Sequence, residues 1–402
     1  MISARAFVIV LASAGVIISP SSSYSIRRSS HHPPRAAASR ASLSMSSSSA
    51  LIVQNKGGGH GELGYQLARR LSSSIYSDKI SSVTILQDSA RNPAREPFVS
   101  YSSDLPNVRV VEADLSGDGG DGSMMSAEDV MSILSGGVDS DGTTAYEYVW
   151  DNASKGDTGA GRAIVDCARA WKSRMLVYVS SAGIYKPDGV ASFSFDDASI
   201  FIFPIPETAP VKETAGQVLY EKYAVESGVP FVSFRPQYIY GRKSNKWDYI
   251  DWYFDRIVRG APLPIPGDGS QKVSLTNSED VASLLARVLD DEDAAIAQTY
   301  FNCGTDRLVT YDDVARMCAD AAGIENPRVV HYDASTLGKG KFPFRPTDFY
   351  VSPTTAMSKL GWEGSKYALE EDLGWYYEGY LARGGATREM KFEEDEALLV
   401  VA

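Results

Sequence analysis

The chain has 402 residues, of which 44% are apolar and 22% charged, enough to bury one large core or two coupled lobes, and this excludes a chain disordered throughout. Its formal net charge is −12; the first 48 residues hold five arginines and no acid, so the remainder carries −17 and disfavours phosphate backbones unless basic residues cluster locally. Three widely spaced cysteines, Cys167, Cys303 and Cys318, and no CxxC exclude a disulfide framework and a zinc site.

In chain order, "AFVIVLASAGVII" at 6–18, behind Arg5, has the form of a signal-peptide apolar region, too short to span a bilayer. The Ser-, Ala- and Arg-rich, acid-free stretch that follows has the composition of a plastid transit peptide, so residues 1–48 read as a bipartite plastid-targeting leader. Strand and helix patterns then alternate. Strands are predicted at 50–55, 81–88, 107–115, 145–153, 174–185 and 230–241, with helices at 64–76, from a Ser126 cap, and at 159–171. Alternation of this kind implies an α/β fold with a doubly wound parallel sheet. Residues 49–240 form a Rossmann-like, NAD(P)-binding-type domain in this reading. Beyond it, a stretch richer in Pro, Trp and Tyr, with helices near 247–259, 279–290 and 310–322, reads as a smaller C-terminal α/β lobe at 241–390 facing substrate or RNA. An acidic-apolar tail follows at 391–402.

Gly58, Gly61 and Gly64 in "LIVQNKGGGHGELG" give GxxGxxG between the first strand and its helix, the spacing that lets backbone approach a pyrophosphate. Asp88 closes the second strand, where an acid takes ribose hydroxyls, and Asp114 follows the third, where it faces an adenine or simply caps a turn. Glu62 lies in the helix's first turn. A carboxylate there favours the helix dipole by ~0.3–1 kcal/mol, yet it would repel a pyrophosphate, so weak NAD(P) binding is expected.

The glycine turn, "VYVSSAGIY", "YEKYAVE" and "FRPQYIYG" together resemble the extended short-chain dehydrogenase/reductases over residues 50–385. That resemblance implies a serine, a tyrosine and a lysine as catalytic residues, the phenol acting as acid or base. Ser181 and Lys222 match, but the tyrosine position, four before Lys222, is Val218, and none of the 22 tyrosines has a lysine four residues on. Tyr220 and Tyr223 flank Lys222 on other faces of a helix, and Tyr185 would have to move in from a loop. Ser181 and Lys222 therefore read as vestigial, and an NAD(P)-dependent epimerase, dehydratase or reductase of nucleotide sugars is the alternative function.

The stretches "SSAGIYK", "VKETAGQVLYEKY", "SFRPQYIYG", "WYFDRIVRGAPLPIPGDG", "VVHYDASTLG" and "MKFEEDE" are similar to the chloroplast stem-loop binding proteins of plants and algae. This resemblance implies binding of RNA stem-loops, endoribonuclease activity dependent on a divalent metal such as Mg2+, and association with plastid ribosomes or transcription complexes. It also implies self-association or pairing with a paralogue. Arg242, Lys243 and Lys246, with Trp247 and neighbouring Tyr240 and Tyr249, form the predicted RNA contact, a mixture suited to phosphates and stacked bases. "GKGKFPFRP", with Lys339, Lys341 and Arg345 around Phe342 and Phe344, is a second candidate. For both, the alternative is a solvated face with its aromatics packed inward. Arg256 and Arg259 are expected to pair with Asp251 or Asp255. Asp248, Asp251 and Asp255 are the carboxylates nearest the basic cluster, whereas His60 and His331 are too far apart in the chain to suggest a two-histidine mechanism.

Overall fold

Short runs of Val, Ile, Leu, Phe and Tyr pair into one sheet of seven strands: β1 (Ser48–Gln54), β2 (Ile80–Asp88), β3 (Val108–Ala113), β4 (Tyr148–Asn152), β5 (Met175–Val179), β6 (Phe231–Pro236) and β7 (Tyr300–Cys303). Their order is β7-β6-β5-β4-β1-β2-β3 and every neighbouring pair is parallel. The computed structural model describes residues 48–55, 60–115, 125–135, 145–186, 203–244, 246–338, 340–393 and 395, all within one compact unit. Every residue of β4, β5 and β6 is buried, as expected of strands covered on both faces.

The covering helices are α1 (His60–Leu71), α2 (Ala127–Ser135), α3 (Gly159–Trp171), α4 (Gly216–Ser227), α5 (Asp248–Ile257), α6 (Ser278–Leu285), α7 (Tyr311–Ala322) and α8 (Leu369–Ala382), among shorter turns of helix. One sheet face (Ile52, Trp150, Val177, Phe234) packs on Leu63 and Leu67 of α1 and Leu284 of α6. The other face (Leu51, Val149, Leu176, Tyr178) meets Val130 of α2, Ile164 of α3 and Tyr220 of α4. Strand direction of winding reverses between β1 and β4, which makes the carboxyl ends of these two strands the crevice where ligands of such sheets bind. A second core, rich in aromatic rings, joins α5, α7 and α8 through Phe254, Tyr311 and Tyr376, with Phe342 and Phe344 inserted between them.

The predicted strands and the 159–171 helix are found, with shifts that have local causes. Ser126 caps α2 reciprocally: Asp129 N–H donates to its Oγ (3.2 Å) while its own N–H donates to Asp129 Oδ2 (2.8 Å). Helix α1 starts at His60 rather than 64 and stops at Leu71, because the hydroxyls of Ser72 and Ser73 turn back onto the carbonyls of Ala68 (2.8 Å) and Arg70 (2.7 Å). The fifth strand ends at Val179, since Ser181 Oγ accepts the Gly183 N–H and opens a 3-10 turn at Ala182–Ile184. The sheet also takes a seventh strand, β7, from beyond the six predicted ones.

Candidate functional site

At the crevice, α1 closes directly on β1. A Cβ on Gly64 would lie 2.2 Å from Gln54 Oε1, so only glycine permits this approach. Gln54 is fully buried; its amide donates to the Gly61 carbonyl and its oxygen accepts from Asn152 Nδ2 (2.7 Å), tying the first turn of α1 to β1 and β4. Gly58 falls outside the described residues. Asp88 stands at the carboxyl end of β2, 8% exposed, with Oδ1 accepting the Ala90 N–H (2.9 Å). Asp114 is exposed just after β3. A helix N-terminus with an acid at the end of the second strand fits a dinucleotide: α1 would meet its pyrophosphate and Asp88 a ribose.

Glu62 does not act as its position in the sequence suggests. Its side chain is 1% exposed and turned into the protein, where Oε1 accepts the Lys243 N–H (2.9 Å) and the Gln66 amide (3.2 Å). A Cβ on Gly241 would come within 2.4 Å of Oε2 and 2.3 Å of Ser278 Oγ, so Gly241 makes room for this carboxylate. Burial raises its pKa to about 7, against the lowering effect of the Lys243 N–H. The expected repulsion of a pyrophosphate by Glu62 is therefore corrected: the acid joins α1 to the Gly241–Lys243 turn.

Ser181 and Lys222, matched to one catalytic set, each hold a different partner. Ser181 Oγ is held by Gly183 N (3.0 Å), whereas Lys222, half-exposed on α4, pairs with Glu213 at 2.5 Å. Val218 is buried. Tyr220 stacks on Tyr178 inside the core at 3.8 Å. Tyr185 is locked: its hydroxyl donates to Asn302 Oδ1 (2.7 Å), accepts from Arg235 Nη1 (3.1 Å), and burial pushes its pKa up to about 12. Arg235 also forms a buried pair with Glu221 (2.8 Å), the neighbour of Lys222, which anchors α4 to β6.

The predicted RNA cluster divides. The Lys243 ammonium is taken by Glu96 (2.9 Å) and Ser100 Oγ (2.7 Å), so it secures the turn rather than facing outward, a correction to its assigned role. Arg242 lies over the Trp375 ring (4.6 Å) and Lys246 over Tyr249 (5.2 Å). The Trp247 ring carries the Arg383 guanidinium at 3.5 Å. Trp247 lines a cleft of about 950 Å3 beside α5, together with the exposed cations Arg95, Lys391, Arg383 and Arg388, the last two paired with Asp251 and Asp255. These cations were missed in the sequence, although "ARGGATREMK" places three of them close after α8. In the second candidate segment Phe342 and Phe344 pack inward, at 2% and 1% exposure.

Asp251 accepts from Tyr376 Oη and Arg383, both at 3.0 Å. Asp255 accepts from Tyr380 (2.9 Å) and Arg388 (2.6 Å), and Arg259 lies 3.6 Å from it. Arg256 instead pairs with buried Asp395 (2.7 Å), a partner outside the expected set. With their oxygens so committed, Asp251 and Asp255 do not fit a divalent metal, and among the described residues no three His, Cys, Asp or Glu converge as ligands. His331 pairs with Asp312 (3.0 Å).

A seven-stranded doubly wound sheet with a crevice at its switch point is the architecture of dinucleotide-binding folds. The model of the NAD dependent epimerase/dehydratase family matches residues 57–304, and the chain belongs to that family. It is 32% identical, over 57% of its own length, to the chloroplast stem-loop binding protein of 41 kDa b, chloroplastic, from Arabidopsis thaliana, and spans 58% of that relative. It is also 24% identical to the trifunctional UDP-glucose 4,6-dehydratase/UDP-4-keto-6-deoxy-D-glucose 3,5-epimerase/UDP-4-keto-L-rhamnose-reductase RHM3 of the same plant, over 69% of this chain and 40% of that one. Among solved structures, dTDP-glucose 4,6-dehydratase from Bacillus anthracis in complex with NAD matches with a TM-score of 0.58 at 15% identity, covering 82% of this chain and 97% of the other. WbmG of Bordetella bronchiseptica, in complex with NAD and UDP, matches with a TM-score of 0.58 at 16% identity, covering 85% and 97%. None of the helices among the described residues is long and apolar enough to cross a membrane.

Proposed function

We propose that this chain is a plastid RNA-binding protein built on an epimerase/dehydratase scaffold, and that RNA enters the cleft beside α5. The observation that carries this reading is the cleft itself, where Arg95, Arg383, Arg388 and Lys391 surround Trp247. Guanidinium and ammonium groups contact phosphates, and an indole offers a surface for a base. The similarity to a stem-loop binding protein points the same way, as does the leader to a plastid. Ribosomal or transcription complexes and further copies of the chain are the partners that go with this role. The reading stops at binding, because Asp251 and Asp255, the two buried carboxylates of α5 in the cleft, are held by Tyr376, Tyr380, Arg383 and Arg388.

The test is anisotropy of a labelled RNA hairpin over a salt series, comparing the parent with the double charge reversal Arg95→Glu and Lys391→Glu. Losing two phosphate contacts is expected to weaken binding about tenfold or more and to flatten the dependence of log K on log salt by roughly 1.4 to 1.8. Unchanged affinity and slope would remove the cleft from the RNA site.

A second reading, retained dinucleotide binding, is supported by Gly64 against Gln54 and by Asp88 at the end of β2. Bound NAD(P) would supply a hydride carrier. The chain's own residues then hold it without proton chemistry, since Val218 is buried, Lys222 is paired with Glu213, and Tyr185 is fixed by Asn302 and Arg235.

A further inference from the structure

We propose that Asp395, beyond the last long helix, is an internal competitor for the RNA cleft, holding on Arg256 the place of an RNA phosphate; this rests on the RNA reading above. After α8 the chain turns at Gly384 and Gly385, where a Cβ on Gly385 would lie 2.3 Å from the Tyr380 ring, so the backbone lies flat on that ring. It then passes along the cleft, with Met390, Lys391 and Phe392 forming part of the wall. Asp395 is 3% exposed, and its Oδ2 accepts from both Nε (3.0 Å) and Nη2 (2.7 Å) of Arg256. The guanidinium is sandwiched between Trp252 (4.0 Å) and Phe392 (4.9 Å).

Two features make this an occupant and not only a clasp. A guanidinium presents the same fork of donors to a carboxylate and to a phosphodiester, so the two ligands exclude each other. The other buried acids of the cleft, Asp251 and Asp255, sit on α5 itself and cannot leave without unwinding it, whereas Asp395 sits on a segment beyond the last long helix. It is held by the paired donors of Arg256 and by the Phe392 contact, while the Asp395 N–H to the Phe392 carbonyl (2.9 Å) turns the segment locally. Arg256 lines the cleft, so release of Asp395 alone, with Lys391 kept on the cleft wall, adds one buried cation to the surface available to RNA.

The experiment uses the full chain with Asp395→Asn, which keeps the shape and removes the charge, and the same labelled hairpin over a potassium chloride series. The variant is expected to bind about tenfold more tightly, with a log–log salt slope steeper by roughly 0.9, the increment for one added phosphate contact. Phe392→Ala, which loosens the segment while leaving the carboxylate, is expected to move both readings in the same direction. Adding Arg256→Gln to Asp395→Asn is expected to return affinity to that of the parent. Thermal melts of each variant accompany the titrations. A lowered Tm with unchanged affinity and slope, in a parent that binds the hairpin, overturns the competitor and leaves the tail a structural strap. If neither parent nor Asp395→Asn binds the hairpin at low salt, the RNA reading itself falls and takes this inference with it.

Discussion

Replacing Glu62 with glutamine is expected to stabilise the protein above neutral pH and leave it unaltered in mild acid. In the unfolded chain the carboxyl titrates near 4.5, and in the folded protein near 7, because burial opposes its charge. The folded state therefore binds the proton more tightly, so the cost is absent below about pH 4.5, grows as pH rises, and is complete above about 7. At 1.36 kcal/mol per unit the gap amounts to about 3 kcal/mol. Glutamine keeps an oxygen for the Lys243 N–H (2.9 Å), and its amide can donate to the Ser278 hydroxyl, which shares the space over Gly241 with Glu62. Asp280, also raised by burial to about 6, contributes a similar slope to both proteins and cancels in the difference. Urea unfolding of parent and Glu62→Gln at about pH 4 and about pH 8 measures the effect. The two should coincide in acid and diverge by roughly 2 to 3 kcal/mol in base. Parallel pH profiles would show that Glu62 is not the buried, titrating group described.

Other expectations concern the two faces of α4. Glu221→Ala strands the Arg235 guanidinium, which is 4% exposed, without its carboxylate, and should cost about 3 to 5 kcal/mol in urea unfolding; a loss below 1 kcal/mol would mean that the pair does not anchor the helix. In calorimetric titration with NAD, Asp88→Ala should weaken binding at least tenfold while Lys222→Met changes it less than twofold, since Lys222 pairs outward with Glu213. Equal losses in the two variants would place the lysine on the cofactor.

The doubly wound sheet was legible because its strands are apolar runs separated by amphipathic helices, and α3 was found at its predicted limits, 159–171. β7 was not, because four residues, "YFNC", carry no periodicity and become a strand only by lying beside Ser233–Pro236. Of the glycine turn, Gly64 marks where α1 closes on β1. The turn could not tell where Glu62 points, which depends on Gly241 and Lys243 far along the chain. Lys243 and Trp247 likewise looked like one exposed cluster. Their partners, Glu96, Ser100 and Arg383, come from segments on either side whose approach local sequence does not encode.

The late arrival of β7 also bears on how the protein is made. Until Tyr300–Cys303 has left the ribosome, β6 is the border of the sheet, and its row of unpaired amides and carbonyls invites another chain. A nascent chain that stalls before that point is expected to pair wrongly and aggregate, and one that passes it closes its own vulnerable margin. Those four residues thus set the point in synthesis at which the β6 edge is covered.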